Sequence, residues 1–273
     1  MNNGVRKNII AGYCIIFYAL MMYKWCNGMM LYQVQPLFFY TREDIFTWVF
    51  MQAGLHQWLL NNPAGWYLSD ILFYTAPLAL LMAAYKKSSW IPALALYTLA
   101  VNWAYIQCYT LYPTTSVEGY TPWLFFPVVF MFSNEKTFAL LIEALRYFFL
   151  FFMASAGLWK FIQGGIFNMH EMSGVLLYQH NQQLTNSPAY RQTEFYYYLI
   201  QHSTLSWFLY LLATLIELSF IIGFFTKKYD RQLAVLFIIF LIADYFLMRI
   251  PYFEMLPFLL VMQTAGRRNN DGL

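Results

Sequence analysis

Residues 137–161 read TFALLIEALRYFFLFFMASAGLWKF, and this stretch decides the fold of the chain. It is almost continuously apolar, and it exceeds the ~20 residues that an α-helix needs to cross the hydrocarbon core of a bilayer. Three charged side chains, Glu143, Arg146 and Lys160, interrupt it. The stretch therefore predicts a membrane-spanning helix that carries ionisable groups.

The composition extends this prediction to all 273 residues. Apolar residues make up 60% of the chain and charged residues 11%, and the mean hydropathy is +0.47, far from the averages of soluble proteins. A net charge of only +3 excludes a nucleic-acid binder, and 22% aromatic residues exclude a disordered chain. We predict an all-α, polytopic membrane helical bundle, a single domain over residues 1–273 without a soluble domain.

Eight apolar segments are predicted to form about eight spans. They run over residues 9–23, 66–85, 89–112, 122–132, 137–161, 205–225, 232–250 and 252–263. The segments at 122–132 and 252–263 are short, so we expect them to be tilted, extended by flanking residues, or re-entrant. The first segment follows Arg6-Lys7 and has no small-x-small cleavage site, which predicts a retained span.

The distribution of cations predicts the orientation. Eight crossings gather ten Lys and Arg residues on one side and leave three in the opposite loops, Lys24, Arg42 and Arg191. The positive-inside rule then places both termini in the cytoplasm. Short loops and the missing cleavage site are typical of the cytoplasmic (inner) membrane of a bacterium.

Two longer segments are predicted on the outer side. Residues 36–61 mix aromatic and charged side chains, which favours interfacial helices that lie on the membrane. Residues 164–203 are polar enough to be a true loop, and this loop is a candidate binding surface for a peptide or a membrane-protein partner.

The three cysteines, Cys14, Cys26 and Cys108, have no metal-ligand or CxxC spacing. We predict no metal site. Small apolar packing is one interpretation of these cysteines, and a disulfide between Cys26 and Cys108 on an oxidising outer side is the other.

Ionisable residues within spans cost about 2.5–3.5 kcal/mol each on insertion scales, so each needs a partner or a function. Arg146 and Glu217 are predicted at similar depths, roughly 15 Å and 13 Å from the cytoplasmic ends of their helices. We expect them to form a structural ion pair. Glu143 lies three residues before Arg146 on the same helical face and is expected to share it.

A second group is predicted near the outer surface, where Lys160, Asp244, Arg249 and Asp70 fall. Small residues at 154–157 precede Lys160 and allow another helix or a ligand to approach. A lysine held in an apolar pocket becomes a usable base near neutral pH. The alternative is that Lys160 extends to the outer headgroups without a chemical role.

These patterns yield a set of predicted site residues. Lys160, Asp244 and His202 are the predicted catalytic residues, because His202 opens the sixth span with His170 and His180 in the preceding loop. Asp70, Arg249, Trp159 and Tyr252 are the predicted substrate- or cofactor-binding residues. Aromatic walls suit a flat lipophilic ligand such as a quinone or hydroquinone.

The segment Ala156-Gly157-Leu158-Trp159-Lys160-Phe161, followed by residues 217–225 (ELSFIIGFF) and 249–253 (RIPYF), resembles a known family. It is the horizontally transferred transmembrane (HTTM) family, and the likeness is to the membrane domain of the vitamin K-dependent gamma-glutamyl carboxylase. The resemblance implies that Lys160 is a base acting on a hydroquinone, and that Glu217 helps to organise the site. Asp244 falls where the carboxylase has a histidine, so its role does not carry over.

The chain lacks the large lumenal domain of the carboxylase, so the resemblance does not extend to gamma-carboxylation of glutamate. The sequence leaves two main hypotheses open. The first is a membrane enzyme with Lys160 as base on a quinol-type or other lipophilic substrate. The second is a non-enzymatic accessory factor for peptide or toxin maturation or secretion, which binds its partner through the outer loop.

Overall fold

A computed structural model describes residues 3–35, 45–110, 120–186 and 190–263. Within these ranges the chain is helical and has no β-strand, which confirms the all-α part of the predicted fold class. The predictions for residues 36–44, which include Arg42, lie outside the described residues.

Fourteen α-helices of the described ranges are numbered in chain order, and a further helical segment covers residues 258–263. They are α1 (Asn3–Cys26), α2 (Leu31–Val34), α3 (Ile45–Gln52), α4 (Leu55–Asn61), α5 (Pro63–Tyr85), α6 (Ile91–Thr110), α7 (Thr121–Phe130), α8 (Glu135–Ile162), α9 (Glu171–Gln179), α10 (Asn181–Asn186), α11 (Arg191–Gln201), α12 (Ser203–Ser219), α13 (Ile222–Phe225) and α14 (Asp230–Met248). Short 3-10 turns lie at Gly165–Phe167 and Phe253–Met255.

Five helical segments of the described chain are long and apolar enough to cross a membrane. They are Gly4–Val34, Pro63–Tyr85, Glu135–Ile162, Ser203–Phe225 and Asp230–Met248. The helices Thr121–Phe130 and Phe253–Gln263 are apolar but short, as the sequence predicts. Helix α6 coincides with the predicted span at 89–112 and includes the buried polar residues Thr98, Asn102 and Gln107.

The prediction of a true loop over residues 164–203 is wrong, because α9, α10 and α11 occupy most of it. Gly164, two residues after the end of α8, is left-handed with φ +75°, a conformation that glycine adopts without strain. Beyond it, Thr193, Tyr196 and Leu199 recur every three residues on the buried side of α11. Helical periodicity within a polar composition therefore explains the error.

The structure divides into two compact units, Met1–Ile142 with Phe253–Leu260 (unit 1) and Glu143–Tyr252 with Val261–Leu273 (unit 2). The core of unit 1 is aromatic. The rings of Phe73 and Tyr105 stack at 3.6 Å between centroids, and Phe17 packs on Trp123 at 4.8 Å. These contacts join α1, α5, α6 and α7, because each of these helices contributes one ring.

Lys24 lies in a helix, whereas the count of cations that predicts the orientation places it in a loop. It lies in the last turn of α1, is 5% exposed, and its Nζ lies 2.8 Å from Glu254 Oε1. The same Nζ donates to the Tyr120 hydroxyl over 2.7 Å. A buried ion pair thus ties the 3-10 turn at Phe253–Met255 to α1 within unit 1.

Unit 2 contains α8 from Glu143 onward, α9–α11, and α12–α14. Phe149 on α8 packs edge-on against Phe220, 5.5 Å away, and against Phe237 on α14, 4.8 Å away. Glycine at position 157 lets α12 approach α8, because a Cβ there would lie 3.0 Å from Glu217 Cβ and from Leu218 Cγ. Close packing at Gly157 therefore sets the position of Glu217.

The Arg146 side chain is fully buried, and its partner is Asp230 rather than the predicted Glu217. Arg146 Nε donates to Asp230 Oδ2 over 2.8 Å, and Nη2 donates to Asp230 Oδ1 over 2.6 Å. Glu143 Oε1 lies 3.7 Å from Arg146 Nη1 and its other oxygen pairs with Lys227, so Glu143 does share the arginine as predicted. We call Glu143, Arg146, Lys227 and Asp230 the inner ionic cluster.

The cysteines carry no disulfide in this structure. Cys14, Cys26 and Cys108 are all free thiols, with Cys14 and Cys108 buried and Cys26 exposed. Packing is therefore the interpretation that the structure favours for the two buried cysteines.

We predict that Arg146→Gln lowers the free energy of unfolding by about 3–5 kcal/mol, because it leaves the buried Asp230 carboxylate without its cation. Unfolding of purified protein in detergent micelles measures the effect. The matched control is Lys227→Gln, which removes a partly exposed cation of the same cluster and is expected to cost at most about 1 kcal/mol. Equal losses in the two variants would contradict a dominant role for the buried pair.

Candidate functional site

Lys160 lies in the last turn of α8 and pairs with Glu217 on α12. Its Nζ donates to Glu217 Oε1 over 2.8 Å. The lysine side chain is 27% exposed and the glutamate side chain 3% exposed. Lys160 is therefore held by a buried acid while its ammonium retains access from outside the protein.

Asp244 on α14 completes this site. Its carboxylate lies within electrostatic range of both Lys160 and Glu217, which are the charged groups that act on it. Helices α8, α12 and α14 thus contribute one side chain each. We call Lys160, Glu217 and Asp244 the outer ionic cluster.

Two acceptor atoms of the outer ionic cluster have no hydrogen-bond partner within the described residues. They are Glu217 Oε2 and Asp244 Oδ2, and both are buried. A buried polar atom without a partner costs about 1–3 kcal/mol, more for a charged group, so structures seldom retain one without a reason. Because both atoms accept, a hydrogen-bond donor such as a ligand hydroxyl, a water molecule or an additional proton would satisfy them.

Tyr210 lies beside this cluster on α12. Lys160 Nζ is 5.4 Å from the centroid of its ring, close enough for a cation–π interaction. The Tyr210 hydroxyl oxygen lies 2.8 Å from the position of a Cβ built on Gly165, so the turn after α8 closes directly over this ring. The tyrosine therefore shields one side of the ammonium.

The two ionic clusters of unit 2 are separated along parallel helices. Arg146 and Lys160 are 14 residues apart on α8, and Asp230 and Asp244 are 14 residues apart on α14. At 1.5 Å per residue each separation is about 21 Å. Arg146 pairs with Asp230, and Lys160 interacts with Asp244. Because the two contacts occur in the same order along both helices, α8 and α14 run in the same direction.

The chemistry of the outer ionic cluster follows from its charges. One ammonium and two carboxylates carry a net charge of −1, and a low-dielectric environment disfavours such an excess. Transfer of the lysine proton to Glu217 or Asp244 would leave a neutral amine with a proton acceptor beside it. The arrangement can therefore take a proton from a donor ligand and hold it near the point of transfer.

The contacts of Lys160 that the structure describes do not include the side chains of Trp159 or Tyr252. Trp159 is 60% exposed, and the described side chains that act on Lys160 are those of Glu217, Tyr210 and Asp244. The tryptophan therefore faces outward from the helix that carries the lysine. Their predicted binding roles gain no support from the geometry.

The structure does not bring His202 to Lys160 and Asp244, the other predicted catalytic residues. His202 caps the N-terminus of α12, 15 residues before Glu217, which is about 22 Å along the helix. Its ring is exposed and Nδ1 bonds to the Tyr198 carbonyl within α11. The imidazole therefore lies at the junction of α11 and α12, far from the outer ionic cluster.

Asp70 belongs to unit 1 and accepts hydrogen bonds from the first turn of α2. Its Oδ1 accepts from the Tyr105 hydroxyl over 2.6 Å, and Oδ2 accepts from the Tyr32 amide over 3.0 Å. The Leu31 amide donates to Oδ1 over 3.3 Å. Asp70 therefore caps α2, and its hydrogen bonds are used within unit 1 rather than for the predicted ligand.

Arg249 follows α14 and links its end to α11. The Arg249 Nε donates to the Tyr196 hydroxyl over 3.1 Å, and Nη2 donates to Gln192 Oε1. The Tyr196 hydroxyl in turn donates to the Phe246 carbonyl over 3.0 Å. The arginine therefore fastens the helices outside the cluster and does not reach Lys160.

His180 also contacts the end of α14. Its Nε2 lies 2.7 Å from the Leu247 carbonyl, which only accepts, so the proton is on Nε2. Its ring stacks on Tyr196 at 3.7 Å between centroids. We call His180, Gln192, Tyr196 and Arg249 the α14 clamp, because all four side chains converge on the end of that helix.

Sequence reasoning missed Asp230, Tyr210 and the α14 clamp. Asp230 stands among the loop cations Lys227, Lys228 and Arg231, and its acidic side chain in the first turn of α14 was the available signal. Tyr210 and Tyr196 are two of 23 tyrosines. Their roles depend on the packing of separate helices, which no local pattern specifies.

Comparisons of the chain with family models, with curated proteins and with solved structures give no match. Among the described residues, no three His, Cys, Asp or Glu side chains group closely enough to hold a metal ion. The assignment of chemistry to the outer ionic cluster therefore depends on the geometry of its own side chains.

We predict that the stability of unit 2 falls on mild acidification. Burial lowers the pKa of His180 below its ordinary value of 6.5, and the charge of Arg249 acts in the same direction. The folded state thus binds the proton more weakly than the unfolded state. The stabilisation of the folded state by the neutral His180 imidazole is complete above pH 6.5. It is lost as the pH falls through the lowered pKa of His180.

Thermal unfolding of wild type and His180→Gln across this pH range measures the effect. Glutamine can still donate to the Leu247 carbonyl but does not titrate, so the variant should lose part of the pH dependence. His202→Gln is the matched control, since that imidazole is exposed. An identical pH dependence in wild type and His180→Gln would contradict the prediction.

Proposed function

We propose that the chain is a multi-pass protein of a bacterial cytoplasmic membrane whose outer ionic cluster is an acid–base site. Its substrate is a quinol-type or other lipophilic molecule with an acidic hydroxyl group. The observation that carries the proposal is the pair of buried, unpartnered acceptors, Glu217 Oε2 and Asp244 Oδ2, beside a lysine that is 27% exposed.

The acceptors identify the chemistry of the ligand. Carboxylate oxygens accept hydrogen bonds and do not donate them when ionised, so the ligand must supply O–H or N–H groups. A quinol presents two hydroxyl groups on a flat apolar ring. The exposed side of Lys160 gives such a ring an approach from the lipid or the outer surface.

The proton route follows the geometry of the outer ionic cluster. The Lys160 proton moves to Glu217 across the 2.8 Å hydrogen bond, and the neutral amine then accepts the proton of the substrate hydroxyl. The products are a quinolate anion, a protonated Glu217 and a restored lysine ammonium, which stabilises that anion. Asp244 is the second carboxylate that can take up the proton from Glu217.

The topology in this proposal has eight crossings with both termini in the cytoplasm. The parallel course of α8 and α14 and the antiparallel α12 between Lys160 and Asp244 agree with it. The outer ionic cluster then faces the outer leaflet, and the inner ionic cluster faces the cytoplasm with its loop cations. The resemblance of residues 146–161 and 217–225 to HTTM proteins supports the same assignment of Lys160 and Glu217.

Oxidation of menadiol tests the proposal. The quinolate loses electrons to dioxygen faster than the neutral quinol does, and the reaction gives menadione and hydrogen peroxide. Wild type in phosphatidylglycerol nanodiscs should accelerate menadione formation over empty nanodiscs. Lys160→Met should lower that rate by about 10²-fold or more, because a positioned base contributes a factor of this size.

Two further variants test whether Lys160 acts as a base or only as a positive charge. Lys160→Arg should fail to restore the rate, since a guanidinium stays protonated and cannot accept a proton. Lys228→Met, at an exposed lysine outside the outer ionic cluster, should retain the wild-type rate. Full activity of a folded Lys160→Met variant, or no acceleration by wild type, would contradict the proposal.

A second candidate function is a non-enzymatic accessory factor that binds a peptide or membrane protein through residues 164–203. Several large apolar side chains of this segment are exposed, among them Phe167 (72%), Tyr178 (87%) and Tyr190 (57%). If this function holds, a stable partner co-purifies with wild type and with Lys160→Met alike, and Tyr178→Ala weakens its binding. Dependence of all activity on Lys160 would exclude it.

A further inference from the structure

Unit 1 contains an apolar cavity that the acid–base site does not use. Its volume is about 260 Å³, and it lies between the helical pair α3–α4 and the helices α5 and α6. Phe50 and Leu59 form one wall, and both are almost fully buried. The opposite wall is α6, so the cavity is built by four separate helices.

The polar groups that line the interior already have partners. Ser69 Oγ donates to the Gly65 carbonyl over 2.9 Å, and the Tyr105 hydroxyl donates to Asp70 over 2.6 Å. Cys108 Sγ bonds to the Ala104 carbonyl of its own helix. A buried water needs two to four polar partners, so this cavity offers water little and favours an apolar occupant.

The α6 wall of the cavity carries a strip of small side chains. Ala100, Ala104 and Cys108 recur every fourth residue and line the cavity with small side chains. Eight residues of helix extend this strip over about 12 Å. An apolar cavity of about 150 Å³ takes a benzene molecule, so about 260 Å³ along a narrow strip fits a longer, linear hydrocarbon.

The mouth of the cavity differs from its interior. Trp58 and Tyr97 line it and are 45% and 37% exposed. Amphipathic aromatic rings of this kind lie at the level of lipid headgroups, where one end is apolar and the other is hydrated. A ligand with an apolar tail inside and a polar head at the mouth satisfies both regions.

We propose that this cavity binds one linear acyl chain of a membrane phospholipid. The interior has no unsatisfied donor or acceptor for a polar ligand, and the small-residue strip on α6 matches an unbranched chain. The proposal concerns unit 1 and is independent of the acid–base site, since no side chain of the outer ionic cluster takes part.

The test uses full-length protein in nanodiscs of phosphatidylglycerol that carries a photoactivatable diazirine group in one acyl chain. Irradiation and mass spectrometry locate the cross-links. Wild type should show cross-links to the α6 strip at 100–108 above the level at exposed surface positions such as Ile15. Ala104→Phe should reduce them at least tenfold, because the added ring occupies the cavity.

Ala93→Phe is the matched control, because it makes the same substitution at an exposed position of α6 that does not line the cavity. This variant should leave the cross-links unchanged. Thermal unfolding verifies that each variant is folded, and Ala100→Leu replaces Ala104→Phe if the latter is not. Equal labelling of the strip in Ala104→Phe and Ala93→Phe would overturn the proposal. So would displacement of the label by farnesol but not by palmitate, which would identify a branched isoprenoid occupant.

Discussion

Unit 2 depends on one constraint, the cost of a charge in apolar surroundings. Arg146 meets most of this constraint, because Asp230 accepts two of its hydrogen bonds and the Gly223 carbonyl accepts a third at 2.8 Å. Its remaining nitrogen, Nη1, has no hydrogen-bond partner among the described residues and lies 3.7 Å from Glu143 Oε1. Lys160 differs in its exposure, since its side chain is 27% exposed and Glu217 beside it retains one unpaired oxygen. The proposed function is therefore placed at the cluster whose cation can be reached from outside.

The helical class and the approximate bounds of the long apolar helices could be predicted from the sequence, because long apolar runs have few alternatives. Lys160 could also be singled out, since a lysine after small residues in such a run is unusual. The pairing of the charges could not. Arg146 and Glu217 were matched by their depths in separate helices, but a pairing also depends on rotation and on contacts such as the close approach at Gly157. Asp230 was hidden by its cationic neighbours, and the helices between residues 164 and 203 were hidden by their polar composition.

The two units use buried polar groups differently. In unit 1 the carboxylates of Asp70 and Glu254 hold backbone amides, tyrosine hydroxyls or Lys24, and these bonds anchor short segments to the long helices. In unit 2 the ionic groups sit at two levels of the same helices. In the α14 clamp, His180 and Tyr196 bond the last carbonyls of α14, and the Arg249 cation lies at the same end, where a helix favours positive charge. Anchoring and the proposed acid–base chemistry thus lie in different parts of one apolar chain.

The spacing of the two ionic clusters restricts how the length of this protein can vary. Fourteen residues are close to four helical turns, so the two levels on α8 and on α14 fall on the same face of each helix. Inserting or deleting one residue between Arg146 and Lys160 would turn one level away from that face by about 100°. The segments that join the helices carry no such restriction. Homologous chains of different length are therefore expected to differ in these joining segments and to keep both intervals on the helices.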